Sequence, residues 1–253
     1  SLLGSLLQVL KFNLDRKAAR VRVFEIGRVF LRDAAVETSD TTVKGIHQPM
    51  RVAGLIYGDP DGLSWTHKDR RADFYDGKGD VEALLAPLRP VFEAAEHPAM
   101  HPGRCARVLL DGQAIGFVGE LHPRWRQQYD LPQAPVLFEL ALDAALQRPV
   151  PVAQPVPRFQ AVERDIAFTA AESVTFGALE SVIRAAAARS GLLRGVQLFD
   201  VYRPQAGKGA EAGTGLASEH KSLAVRLTLA SEDTTLTDCL LYTSPSPRDL
   251  STS

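Results

Sequence analysis

Hydrophobic positions in the first 60 residues follow a helical spacing and then a strand-like one. Leucines recur at helical intervals through residues 2–14, which predicts a helix with one strongly apolar face. Residues 20–30 are rich in β-branched and aromatic side chains and predict a long strand. Residues 33–50 are polar and predict a loop, and residues 52–57 predict a second, buried strand.

The following segment predicts one helix and one hairpin. A helix is predicted over residues 81–88, with Asp80 as its N-cap. Two short apolar strands within residues 106–119 meet at Asp111 and Gly112, a dipeptide typical of a tight hairpin turn. A strand at residues 136–140 then completes a first module.

Prolines mark the end of this module. Residues 147–157 contain four prolines, which fix φ and remove backbone donors, so that neither a helix nor a sheet interior can continue through them. We therefore predict a linker at residues 147–157, between a first module at residues 1–146 and a second at residues 158–238.

The second module follows the order β-α-β-β. Strands are predicted at residues 165–169, 196–203 and 222–230, with a glycine-rich loop at residues 204–219. A helix capped by Ser173 or Thr175 and ending near Gly191 follows the first strand, with its apolar face formed by Phe176, Leu179, Val182, Ile183 and Ala186. This order is three-quarters of a ferredoxin-like βαββαβ unit, so one more helix and strand are expected after Asp238.

Alternation predicts which side chains share a face of each strand. Leu223, Val225, Leu227 and Leu229 share one face of the last strand. In the strand before it, Leu198, Asp200 and Tyr202 should share one face and Phe199, Val201 and Arg203 the other. We expect Leu198 and Phe199 to pack in the core.

The composition is that of an ordinary globular protein, with 45% hydrophobic and 23% charged residues. The net charge of -1 gives no sign of a basic nucleic-acid-binding domain, and neither half of the chain is basic. No run of 18 apolar residues predicts a membrane span. Two cysteines, Cys105 and Cys239, are too few for a disulfide framework, which favours a cytoplasmic location.

Eight short motifs, in order, resemble the β subunit of bacterial phenylalanyl-tRNA synthetase. Four resemble its catalytic-like core: VFEIGRVF at 23–30, DFYDGKGD at 73–80, HPG at 101–103 and GFVGELHP at 116–123. Four resemble its ferredoxin-fold anticodon-binding domain: RF at 158–159, RDIA at 164–167, LFDVYR at 198–203 and KSLA at 221–224. The resemblance covers residues 1–238.

The resemblance implies an α+β fold, with a class II synthetase catalytic-like core of antiparallel sheet and helices followed by a truncated ferredoxin-like domain. It also implies a part of phenylalanine–tRNA ligase, which attaches phenylalanine to tRNA(Phe) in an α2β2 assembly using ATP and Mg²⁺. No cofactor and no aminoacylation or editing site are expected in this segment. No Gly-rich stretch ending in an arginine pair resembles the third class II motif, and we interpret Arg22, Glu25 and Arg28 as structural or interfacial.

Residues 239–253 do not continue the resemblance. Residues 239–249 resemble one reading frame of an adapter used to prepare DNA sequencing libraries, and they lack the amphipathic pattern expected of the next helix. We interpret residues 239–253 as a non-native tail. The second module should then be loose, because the leucine face of its last strand loses part of its cover.

No metal site is predicted. His97 and His101 both precede proline and cannot share a helical face, and no cysteine cluster completes a ligand set with His122. Asp73, Asp76 and Asp80 are explained by helix capping. The segment 207–209 lacks the spacing of a phosphate-binding loop.

The candidate RNA-binding residues lie in the second module. A sheet covered by helices on one face leaves the other free, and RNA-binding modules place aromatic and cationic groups there. The candidates are Arg164, Tyr202, Arg203, Lys221, Ser222 and Arg226. For Arg164, a structural ion pair is an equally good explanation.

Two alternatives remain open at this point. An active class II ligase core would need the missing third motif. A protein-interaction module with no RNA role would bind its partner with little dependence on salt, whereas phosphate contacts make affinity fall steeply with ionic strength.

Overall fold

A computed structural model describes residues 1–62, 65, 70–147, 149–153, 158–203, 220–232 and 234–236. The chain divides into two compact units, unit 1 at residues 1–151 and unit 2 at residues 152–253. The predicted loop at 204–219 and the predicted tail at 239–253 lie outside the described residues, as do residues 148 and 154–157 of the predicted linker. No helix in the described parts has the length and hydrophobicity needed to cross a membrane.

Unit 1 is built on one antiparallel sheet. Its elements are α1 (Leu3–Leu14), β1 (Val21–Arg28), β2 (Leu31–Arg32), β3 (Ile46–His47), β4 (Met50–Tyr57), α2 (Phe74–Leu85), β5 (Val91–Ala94), β6 (Met100–Leu110), β7 (Gln113–Leu121), α3 (Pro123–Gln128), β8 (Val136–Ala141) and α4 (Leu142–Leu146). Six of the strands form the sheet in the order β1-β4-β8-β7-β6-β5, and β2 pairs with β3 in a separate ribbon.

The apolar face of α1 is buried, as its leucine spacing predicts. Leu3, Leu6, Leu7 and Leu10 pack with residues of β1, β4 and β8 in one of two core clusters. The second cluster joins α2 to residues of the sheet that include Val108, Val118 and Leu140. Alternate residues of the central strands face the two clusters, so the centre of the sheet is buried on both faces.

The helix predicted at residues 81–88 is α2, and its predicted start is wrong. The helix begins at Phe74, and its N-cap is Asp73, which forms a capping box with Asp76. Gly77 and Gly79 weaken the helical signal of the first turns. Gly77 is needed because a Cβ there would lie 2.5 Å from Val136 Cγ1, so the helix can approach β8 closely.

The other predicted elements of unit 1 form, but some are longer than predicted, and the structure contains short elements that were not predicted. The predicted hairpin forms, with Asp111 and Gly112 at its turn, but β6 and β7 are longer than predicted. The predicted loop at 33–50 contains β3 and the first residue of β4. Strand β5 and helices α3 and α4 are short elements that the sequence patterns do not predict.

Unit 2 contains a three-stranded antiparallel sheet and one helix among its described residues. The elements are β9 (Val162–Ala171), α5 (Phe176–Ala187), β10 (Leu193–Tyr202) and β11 (His220–Leu229), with β11 between β10 and β9. Thr175 is the N-cap of α5, and its hydroxyl accepts a hydrogen bond from the Ala178 amide at 3.2 Å. Val182 belongs to the predicted apolar face of the helix, but its side chain is exposed.

The buried side of this sheet is only partly covered. Leu223 and Val225 are buried, whereas Leu227 and Leu229 on the same face of β11 are half-buried. No residue of α5 is fully buried. The core of unit 2 therefore depends on few side chains.

Candidate functional site

Strand β11 defines the two faces of the sheet in unit 2. Residues Leu223 and Val225 point to the side that is buried. The opposite side, which we call the open face, carries Glu163, Asp165, Ala167, Thr169, Asp200, Tyr202, Ser222, Ala224 and Arg226. These side chains are exposed or half-exposed, so the open face is accessible to a ligand.

A β-bulge in β10 changes the faces that simple alternation predicts. Leu198 pairs with Val225 and Asp200 pairs with Ala224, so Phe199 is an extra residue without a partner in the register. Leu198 and Val201 consequently share the buried side, and the prediction that Leu198 lies with Asp200 and Tyr202 is wrong. The expected core position of Phe199 is also wrong, because this side chain is 51% exposed.

Two of the six candidate residues, Tyr202 and Ser222, face each other across neighbouring strands. They are register partners between β10 and β11, and Tyr202 is 49% exposed. Asp200 lies on the same face one register step away, opposite Ala224. An aromatic ring, a hydroxyl and a carboxylate thus form a compact polar group on the open face.

Arg226 also lies on the open face, but its charge is compensated. Its guanidinium donates to both carboxylate oxygens of Asp165, at 2.8 and 2.9 Å, and lies 3.3 Å from Glu163. These hydrogen bonds and charges raise the pKa of Arg226 and lower the pKa of Asp165. The guanidinium also lies 5.5 Å from the centre of the Phe199 ring. The bidentate pair fixes Arg226 and leaves this part of the face without excess positive charge.

Lys221 and Arg203 meet at Glu172 instead of on the open face. Lys221 is only 7% exposed, and its ammonium donates to the Glu172 carbonyl oxygen at 2.7 Å. The Arg203 guanidinium donates to the Glu172 carboxylate at 3.0 Å, which lowers the pKa of that carboxyl. The same carboxylate lies 3.8 Å from the Lys221 ammonium. This arrangement ties the end of β9 to β10 and β11.

Arg164 does not join the open face either. It is the register partner of Leu227, on the side of β9 that faces away from Asp165. The six candidates are therefore divided, with Tyr202, Ser222 and Arg226 on the open face and the other three elsewhere.

The charged residues of β1 in unit 1 make local contacts. Arg22 is ion-paired with Asp80, and Glu25 accepts a hydrogen bond from the Ser5 hydroxyl. Arg28 donates to the Gln48 carbonyl oxygen at 3.3 Å. These contacts fit the interpretation of the three residues as structural.

His97 and His122 of unit 1 each accept a hydrogen bond from a backbone amide two residues further on. His97 Nδ1 accepts from the Ala99 amide at 3.2 Å, and His122 Nδ1 accepts from the Arg124 amide at 3.0 Å. Among the described residues there is no group of three or more His, Cys, Asp or Glu side chains that could hold a metal ion.

An antiparallel sheet flanked by helices, followed by a ferredoxin-like α+β unit with an open face, is the arrangement of an aminoacyl-tRNA synthetase chain with an anticodon-binding domain. Residues 1–142 match the family "Phenylalanyl tRNA synthetase beta chain CLM domain", and residues 157–241 match the "Ferredoxin-fold anticodon binding domain". The chain therefore belongs to the phenylalanyl-tRNA synthetase beta chain family.

Curated relatives agree with the family. The chain is 49% identical over 244 residues to a phenylalanine–tRNA ligase beta subunit of Ralstonia nicotianae, covering 95% of this chain and 30% of the relative. It is 48% identical over 241 residues to the corresponding subunit of Cupriavidus pinatubonensis, covering 94% and 29%. The chain thus spans about 30% of the length of these relatives.

Among solved structures, the chain is similar to a pyrrolysyl tRNA synthetase from Desulfitobacterium hafniense. The sequences are 12% identical, the TM-score is 0.40, and the match covers 58% of this chain and 48% of that one.

Proposed function

We propose that this chain is the part of a phenylalanine–tRNA ligase beta subunit that binds the anticodon stem-loop of tRNA(Phe) and supports assembly with the α subunit. The whole enzyme would attach phenylalanine to the tRNA with ATP and Mg²⁺ in the cytoplasm, as an α2β2 assembly. The aminoacylation and editing sites would lie outside this segment. The observation that carries the RNA-binding proposal is the Tyr202–Ser222 pair on the open face of unit 2.

The chemistry of this pair suits an unpaired base. An exposed tyrosine ring offers a stacking surface that every base can use, and the adjacent hydroxyl and carboxylate can hydrogen-bond to a base edge. Since Arg226 is compensated by Asp165 and Glu163, few phosphate contacts are available at this group. We therefore expect stacking and base-edge hydrogen bonds to contribute most of the affinity at the open face.

The RNA-binding proposal is tested with an anticodon stem-loop of tRNA(Phe) and the 253-residue chain, by fluorescence anisotropy. Replacing Tyr202 with alanine should weaken binding about tenfold or more, because base–aromatic stacking is worth about 1–3 kcal/mol. Tyr202→Phe should keep most of the affinity. The control is Tyr75→Ala, which removes an exposed tyrosine from unit 1. Equal affinity of the Tyr202→Ala and wild-type chains would sink the proposal.

One competing function is a protein-interaction module without an RNA role. It predicts that the stem-loop binds no better than an unrelated RNA hairpin and that Tyr202→Ala changes neither affinity. A specific, Tyr202-dependent interaction would exclude it.

We propose that the α subunit binds at β1, an edge strand of the six-stranded sheet of unit 1. Within the residues that the structure describes, β1 pairs only with β4, so its other edge is available. Phe24 and Ile26 on this strand are 73% and 51% exposed. Both side chains project from the same face of this edge strand, and exposed apolar side chains of this kind are typical of a protein-interaction surface. We therefore place the α subunit against β1.

The assembly proposal is tested by titrating the chain with the α subunit and measuring heat of binding. Phe24→Asp should weaken or abolish complex formation, since it puts a charge into the apolar contact. Phe12→Asp, at an exposed position of α1, is the control and should bind normally. Normal binding by both variants would exclude β1 as the contact.

A further inference from the structure

A polar cavity lies in unit 1 at one end of the six-stranded sheet, far in sequence from the candidate residues of unit 2. Its volume is about 430 Å³. It is found where β7 ends and β6 begins, next to the starts of α2 and α3, and is lined by Arg71, Asp73, His101, Arg104, Glu120 and Arg126 among others. Cationic side chains outnumber carboxylates in this lining.

Both carboxylates of the lining already have partners. Glu120 accepts a hydrogen bond from Arg104 at 2.7 Å. Asp73 caps α2, where its carboxylate accepts from the Tyr75 amide at 2.8 Å. Neither carboxylate is paired with Arg71 or Arg126, so the charge of these two guanidiniums is uncompensated within the cavity.

Arg71 is the cation with the most donors to offer. It makes no hydrogen bond or ion pair in the described part of the chain, and it lines both this cavity and a neighbouring one of about 490 Å³. Arg126 donates from Nε and Nη2 to the carbonyl oxygens of Leu131 and Pro132, at 3.1 Å each. These two bonds hold its guanidinium in place and leave Nη1 available.

His101 also lines this cavity, but its Nδ1 is inaccessible to solvent and is not available to a ligand there. Tyr57 lines the neighbouring cavity, and the same two cations affect its pKa. Burial raises the pKa of its phenol, and the charges of Arg71 and Arg126 oppose that rise.

We propose that this cavity binds a phosphate group, held by the guanidiniums of Arg71 and Arg126. A phosphate offers several strong acceptor oxygens to donors that converge from different directions, which suits two guanidiniums. The cavity is larger than a phosphate ion alone needs, so the group belongs either to a small phosphorylated molecule or to an RNA backbone. The site is independent of the RNA-binding proposal for unit 2.

The first experiment is a calorimetric titration of the 253-residue chain with inorganic phosphate at constant ionic strength. Arg71→Ala should weaken phosphate binding by about tenfold or more, because it removes charge-assisted hydrogen bonds. Arg107→Ala is the matched control, since Arg107 is exposed on β6 outside the cavity, and it should bind like the wild type. The thermal midpoint of Arg71→Ala should not change, because Arg71 has no partner in the described chain.

A second readout uses His101 as a reporter, because this residue lines the cavity. Its ring signals in NMR spectra, assigned by their loss in His101→Gln, should shift on addition of phosphate, whereas those of the exposed His47 should not. Undetectable phosphate binding, equal binding by the Arg71→Ala and wild-type chains, or unchanged His101 signals would each overturn the proposal.

The source of the phosphate is distinguished with a tRNA(Phe) transcript. If Arg71→Ala weakens both phosphate and tRNA binding, the occupant is a backbone phosphate of the RNA. If it weakens only phosphate binding, the occupant is a small phosphorylated molecule. Tyr202→Ala should leave phosphate binding unchanged, so failure of the unit 2 proposal and failure of this one give different results.

Discussion

The two sheets of this chain are used differently. In unit 1 the sheet carries helices on both faces and contains most of the buried side chains, including Leu55, Val108, Val118 and Leu140. In unit 2 one face is open, and the buried hydrophobic residues among those described are Leu223, Val225, Ala230 and Leu236. A sheet that leaves a face free for a ligand loses half of its potential core. Unit 1 should therefore be the more stable unit, and unit 2 the one that tolerates changes on its exposed face.

The two units should differ most in the stability that they lose when a leucine side chain is shortened to alanine. Leu140 is fully buried in unit 1, so Leu140→Ala should reduce the free energy of unfolding by about 2–5 kcal/mol. Leu227 in unit 2 is half-buried, and Leu227→Ala should cost only about 1 kcal/mol. Urea unfolding measures both effects, with tryptophan fluorescence for unit 1, which contains Trp65 and Trp125, and amide exchange for unit 2. Equal losses would contradict the comparison.

The next largest effect should be at Lys221, a buried charge in the thinner core. Lys221→Ala removes the ammonium that bonds to the Glu172 carbonyl oxygen and leaves that oxygen without this donor. We expect unit 2 to lose about 1–3 kcal/mol. Amide exchange in β9 and β11 measures the loss. Tyr202→Ala is the control on the open face, and it should weaken RNA binding without reducing the stability of unit 2. If Lys221→Ala is as stable as the wild type, the contact with Glu172 does not stabilise unit 2.

A smaller effect should appear in the pH dependence of unit 1. Burial lowers the pKa of His97 below 6.5, with Glu139 opposing the shift, and its ring packs 5.0 Å from that of Phe117. The unfolded chain then binds more protons than the folded chain as the pH falls below about 6.5, so the stability of unit 1 should decrease there. His97→Gln should reduce this decrease. Tryptophan fluorescence in urea between pH 7.5 and pH 5.5 measures both chains, and identical slopes would exclude a role for His97.

The stability of unit 2 should decrease at a lower pH than that of unit 1. The pKa values of Asp165 and Glu172 are lowered by hydrogen bonds from Arg226 and Arg203. These two carboxylates stabilise the folded chain above their unfolded pKa values of 3.8 and 4.5, and this stabilisation is lost as the pH falls below those values. Amide exchange in β9 between pH 6.5 and pH 5.5, corrected for intrinsic exchange, should therefore show little change in stability.

The smallest effect should come from surface ion pairs. Arg22→Ala breaks the pair with Asp80 on the outside of unit 1 and should change the free energy of unfolding by less than about 1 kcal/mol. Urea unfolding with Arg107→Ala as the reference measures the difference. A loss as large as that of Leu140→Ala would mean that the core is not the main source of stability.

Strong periodicity made some elements predictable. The leucines of α1 and the Asp111-Gly112 turn are local signals that tertiary structure does not override. The start of α2 was missed because two glycines reduce helix propensity, whereas the capping box of Asp73 and Asp76 is a signal that could have located it. The bulge at Phe199 places Leu198 on the opposite side of β10 from Asp200 and Tyr202, which simple alternation cannot reveal. The cavity around Arg71 joins segments distant in sequence and has no local signal.

The bulge also determines which changes of chain length β10 can accept during evolution. Deleting Phe199 removes the extra residue and leaves Asp200 opposite Ala224 and Tyr202 opposite Ser222, so the open face keeps its composition. Deleting Val201 instead moves Tyr202 into the position opposite Leu223, where its ring would point to the core. Homologous chains should therefore gain or lose a residue at position 199 far more readily than at positions 200–202, and an alignment gap in this strand has a preferred place.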